Sequence, residues 1–129
     1  MRLNRWILRA AGLYGLIVLL PQYALEKQVG IDRPPAITHP EYFYGFVGVA
    51  VAWQVAFLIM SRDPARYRPL LIAAILEKIS FGGAAIALYA AGRLDALVLL
   101  FGTFDLVWAT LFAWVYVRLC SVTRRDEAA

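Results

Sequence analysis

The sequence predicts an all-α polytopic membrane protein: one membrane domain over residues 1–129, folded as an antiparallel bundle of four transmembrane helices. Three observations predict it. Hydrophobic residues make up 62% of the chain, against about 45–50% in an ordinary soluble domain. A soluble domain of this size would have too little polar surface to cover such a core. Four apolar runs, near 6–25, 42–60, 70–91 and 96–117, are each close to bilayer length. Arginines alternate between the connections that join those runs.

The first run follows Arg2, Arg5 and Arg9 and ends near Pro21–Leu25. A basic start before an apolar run resembles a signal peptide, but Gln22 is too large for the small-residue cleavage pattern. A retained span over 6–25 is therefore expected. Ala11 and Gly15 form a small pair four residues apart that permits close helix contact. Residues 26–41, EKQVGIDRPPAITHPE, form the one substantial polar connection. Gly30, Pro34, Pro35 and Pro40 argue against a continuing helix there. Asp32, His39 and Glu41 are metal-capable residue types. A single histidine with two loosely spaced carboxylates is a weak ligand set, and a solvated loop with a helix-start turn at 39–41 is the expectation.

The second run, Tyr42–Met60, carries no charge, and only Gln54 is strongly polar. Its length of about 28 Å matches a hydrocarbon core. Tyr42, Phe43 and Tyr44 suit an interfacial belt. Gly48, Ala52 and Ala56 predict a smooth packing stripe, with Gln54 off it and bonded to another helix. The basic connection SRDPARYRP at 61–69 holds two prolines that stop the flanking helices.

The third run is the unusual one, because Glu77 and Lys78 sit side by side in its first half. Its nine large apolar residues return about 3–5 kcal/mol on insertion, against about 5–7 for the two charges. The helix therefore needs partners. Adjacent helical residues point about 100° apart, so Glu77 and Lys78 are expected to face different neighbours. Asp105, the only other acid within an apolar run, is the natural mate for Lys78. Gly83 and Ala87, four apart, predict the tight packing face of this helix. After the short GRLD connection, the fourth run places Asp105, Ala109, Phe112, Ala113 and Tyr116 on one face. Trp108, near Asp105, is a candidate indole donor to that carboxylate. The tail, 118–129, is charged and expected to fray. Cys120 is the single cysteine, so no intrachain disulfide forms.

The N-terminus, the 61–69 connection and the C-terminal tail carry three arginines each. The other two connections carry Lys27 with Arg33, and Arg93 alone. The positive-inside rule then places both termini in the cytoplasm and the chain in the cell (inner) membrane. The net charge of +4 is read as topology, not as a nucleic-acid surface. Counting depth at about 1.5 Å per residue gathers a polar layer in the inner half: Gln54, Glu77, Lys78 and Asp105, with Tyr14 and Trp108 beside it.

Three functional readings follow. The first is a structural or accessory protein in which Lys78 and Asp105 form an internal pair that fixes helix register. The second is a small transporter or ion-translocating subunit with Glu77 as the proton carrier, a homodimer or subunit of a larger assembly because four spans are few for a full path. The third is a lipid- or quinone-binding membrane enzyme. It is the least supported, since the only histidine lies far from the polar layer and no hydrolase, metalloprotease or phosphate-loop motif is present. No cofactor or metal is expected, and the expected partner is the lipid bilayer.

The motifs THPEYFYGF, RDPARYRP and LEKISFG resemble those of small bacterial four-span inner-membrane proteins, and the layout is similar to DoxX-like proteins. The resemblance implies a location and a fold, and it transfers no functional residue.

Overall fold

The computed structural model describes the backbone of residues 2–127 and the side chains of residues 2–121. Among the described residues there are five α-helices and no strand. They are α1 (Arg2–Leu19), α2 (Glu26–Asp32), α3 (Pro40–Met60), α4 (Leu70–Ala90) and α5 (Ala96–Glu127), with a 3-10 turn at Leu20–Ala24 after α1. Four segments are long and apolar enough to cross a membrane: Arg2–Ala24, Pro40–Met60, Leu70–Ala90 and Ala96–Ser121.

The helix ends follow from local chemistry. Pro40 occupies the first turn of α3, where its missing N–H costs nothing. α4 is closed off by Gly92, two residues past its end, whose φ of +68° is the left-handed value that glycine adopts without penalty. Gly92 N–H donates to Tyr89 O and Arg93 N–H to Leu88 O, at 2.9 Å each, which satisfies carbonyls the helix leaves open. Asp95 caps α5: its Oδ1 accepts from the N–H groups of Leu97 and Val98 at 2.8 and 3.0 Å.

Four expectations are corrected. The polar connection is not wholly a loop, because α2 forms before Pro34 and Pro35 can break it. The tail does not fray at residue 118. α5 continues to Glu127, since no glycine or proline follows Val117 and Leu119 extends the buried face of Phe112 and Val115. The packing stripe of α3 is not Gly48–Ala52–Ala56. Ala52 is exposed, and the buried face is Val47, Ala50, Gln54, Phe57 and Met60. In α4 the packing glycine is Gly82 and not Gly83. A Cβ at Gly82 would lie 2.5 Å from Leu106 Cγ and 2.8 Å from Gly102 O, whereas a Cβ at Gly83 would meet nothing within 4 Å.

The helices pack as two tight pairs, α1 with α3 and α4 with α5; α1 also meets α5. Small residues set the seams. Gly12 and Gly15 of α1 are buried against α3, and Gly82 and Ala85 of α4 meet Gly102 of α5. Aromatic side chains join the pairs: Phe57 meets Phe112 edge-on at 4.9 Å between centroids, and Tyr14 lies 6.0 Å from Trp108. The apolar core gathers at one end, where Leu8, Phe57, Met60, Leu71, Phe112 and Val115 are fully or almost fully buried. Large apolar side chains cover the outside of all four long helices, among them Ile17, Val49, Leu76 and Val117.

Candidate functional site

The core ends at a polar layer. Gln54 of α3 is 1% exposed and Lys78 of α4 is 5% exposed. Lys78 Nζ donates to Asp105 Oδ1 of α5 at 3.2 Å and lies 3.4 Å from Glu77 Oε2. The three side chains are 7%, 15% and 18% exposed for Lys78, Asp105 and Glu77. One ammonium thus stands between two carboxyls. Lys78 reaches both because its side chain is long and flexible, so the expected separation of Glu77 and Lys78 onto different neighbours is only partial. The Lys78 ammonium also sits 5.5 Å from the Phe57 ring centroid, a favourable place for a desolvated cation.

Two acceptors in this layer lack a hydrogen bond. Gln54 donates from Nε2 to Ala50 O at 2.9 Å, within its own helix, and its Oε1 is buried without a partner. The cross-helix bond expected of Gln54 does not form. Glu77 Oε2 faces Lys78 as a charge contact, outside hydrogen-bond geometry, and is likewise without a bond. A buried acceptor left unmatched costs about 1–3 kcal/mol, so such atoms mark places where something polar is expected to sit.

Beside this layer lies a cavity of about 380 Å³, within the size range of small-molecule sites. Gln54, Glu77, Lys78 and Asp105 form its floor. Tyr14, Phe46, Phe81 and Phe101 contribute apolar wall, and Leu25, Val29 and Arg33 lie at the other end. A second groove runs between α3 and α4, lined by Phe46, Trp53, Leu76, Glu77 and Phe81. Glu77, Phe46 and Phe81 border both spaces. The Phe46 and Phe81 rings meet at 5.8 Å between centroids.

The mouth is held by the polar connection. Arg33 Nε bonds Asp95 Oδ2, joining the end of α2 to the start of α5. Tyr44 O–H donates to Glu26 Oε2 at 2.6 Å, and the Tyr44 ring stacks on Tyr23. Asp95 lies below the ordinary carboxylate range because the Val98 N–H, then the Arg33 guanidinium, favour its charged form despite slight desolvation.

Of the six residues expected in the layer, Gln54, Glu77, Lys78, Asp105 and Tyr14 line one cavity. Trp108 does not donate to Asp105; its ring packs instead between Tyr14 and Phe112. Asp32, His39 and Glu41 are not one cluster: Asp32 accepts from Gln28 at 2.7 Å, while His39 pairs with Glu41 at 3.2 Å. Arg33 and Asp95 do not stand out as site residues in the sequence, although an aspartate just before an apolar helix is a capping signal. No family model matches this chain, and no curated protein or solved structure is found that is similar to it.

Proposed function

We propose that this chain is an integral protein of the cell (inner) membrane that binds a small amphipathic molecule. Its four long helices cross the bilayer as an antiparallel bundle with both termini cytoplasmic and the first span retained. The arginine alternation and the exposed apolar faces support this topology. With that orientation the cavity opens toward the outer face, under α2 and Arg33.

The observation that carries the binding reading is the set of four polar side chains, Gln54, Glu77, Lys78 and Asp105, that line one otherwise apolar cavity between the helices. Structural needs alone would favour an apolar floor, since a half-satisfied polar network is worse than none. The Lys78–Asp105 bond supports a second, compatible role, in which the pair sets the register of α4 on α5.

Binding is tested with 1-octanol as probe. The unfolding midpoint of the full chain in nanodiscs is measured against probe concentration, beside Val98→Trp, which fills the cavity wall near its mouth. A rise in the midpoint for the parent that Val98→Trp lacks supports the reading; equal responses overturn it. Topology is tested by single cysteines in a Cys120→Ser background. Labelling of the 26–41 connection from the cytoplasmic side only would overturn the orientation.

A further inference from the structure

We propose that the cavity selects a lipophilic amine, a molecule with an apolar body and a cationic head bearing N–H donors. This rests on the binding reading above and assigns its ligand class.

Glu77 and Asp105 bring carboxyl oxygens to the floor, and Glu77 Oε2 has only a 3.4 Å charge contact to Lys78. A head that donates adds a hydrogen bond there, while a head that only accepts adds none. A charged donor also forms the stronger bond to a carboxylate.

The charge count agrees. The floor holds two carboxyls, Glu77 and Asp105, and one ammonium, Lys78. With all three ionised its net charge is −1. The other elements do not change this sum. Gln54 from α3 is uncharged, Tyr14 from α1 is a phenol, and Arg33 at the mouth has Asp95 as its own counter-ion. A lone buried charge is costly unless paired. One bound cation completes the layer.

The walls fit the same ligand. Tyr14, Phe46, Phe81 and Phe101 present aromatic surface, which accepts both an apolar body and a cation. The groove between α3 and α4 shares Glu77, Phe46 and Phe81 with the cavity, so Glu77 is bordered from the side as well as from the cavity.

Octylammonium, 1-octanol and octanoate share a tail and differ in their heads. Binding of each to the full chain in nanodiscs at pH 7 is measured by calorimetry, with empty nanodiscs as blank. Saturable binding of octylammonium is expected, about tenfold or more tighter than 1-octanol, with octanoate weakest. Glu77→Gln is expected to remove that preference. If 1-octanol or octanoate binds as tightly as octylammonium, the amine class is overturned and the binding reading stands. If none of the three binds, both fall. A preference that survives Glu77→Gln overturns the assignment to this floor. Should that variant fail to fold, the ranking on the unaltered chain decides.

Discussion

Gln54 lies over Gly15. Its side chain fills the space that a Cβ at Gly15 would occupy, so the bare backbone of α1 is what lets a buried glutamine fit between α1 and α3. Gly15→Ala is expected to push Gln54 toward the cavity and cost about 1–3 kcal/mol. In a Gln54→Ala background the same change is expected to cost far less. A double-mutant cycle on unfolding in detergent measures the difference; equal costs in both backgrounds would refute the contact.

The glycine pair of α4 gives a sharper contrast. Gly82→Ala places a methyl against Leu106 and the Gly102 carbonyl, and is expected to destabilise by about 1–3 kcal/mol. Gly83→Ala meets nothing and is expected to be neutral or to stabilise by up to about 1 kcal/mol. Unfolding midpoints of the two variants check this ordering.

Lys78 and Asp105 are coupled by their bond. Lys78→Met strands Asp105 and Glu77, and Asp105→Leu strips Lys78 of its hydrogen-bonded partner. Lys78→Met is expected to cost about 3–5 kcal/mol, because it leaves buried carboxyls without a counter-charge, and Asp105→Leu less, because Glu77 stays 3.4 Å from Lys78. The double change is expected to recover much of that loss. Yield and monodispersity in detergent are the readout. Single variants that behave like the parent would remove the register role.

Asp95 makes the mouth sensitive to acid. Its folded-state carboxyl lies below the ordinary value, so its contribution is fully present above about pH 4 and is lost as pH falls through the lowered value. The side chain is 40% exposed, so screening holds the Arg33 share to well under about 1 kcal/mol. Asp95→Ala also removes the cap of α5, expected to cost about 1 kcal/mol. The gap between parent and variant midpoints is expected to narrow from pH 7 to pH 3, and the Arg33 share to shrink with salt. A gap constant across that range would exclude the carboxylate as its source.

The four long helices were legible because their signals are one-dimensional: run length, proline stops and arginine placement. The Lys78–Asp105 contact was legible by elimination, since few charges fall within apolar runs. Helix rotation was not. In α3 and α4 almost every residue is apolar, so neither helix has a polar face to orient it, and four-residue spacing fitted more than one stripe. That is why spacing points to Gly48–Ala52–Ala56 and Gly83–Ala87 as seams while Val47–Ala50–Gln54–Phe57 and Gly82–Ala85 are buried. The cavity was hidden for a related reason. It depends on α2 and Arg33 lying near the start of α5, a meeting of residues 33 and 95 that no local pattern encodes.

The pairing of the helices has a consequence for how the chain is put together. The seams of α1 on α3 and of α4 on α5 are each complete within one contiguous half, and the 61–69 connection joins them. Gln54 over Gly15 belongs to the first half; Lys78 on Asp105 and Gly82 on Gly102 belong to the second. Both partners of the first seam precede residue 61 in the chain, and the charged α4 has its counter-ion in α5, the next long helix, not in a distant one. A gene severed at that connection would yield two fragments, each with its internal seam intact, leaving contacts such as Phe57 against Phe112 to rejoin them.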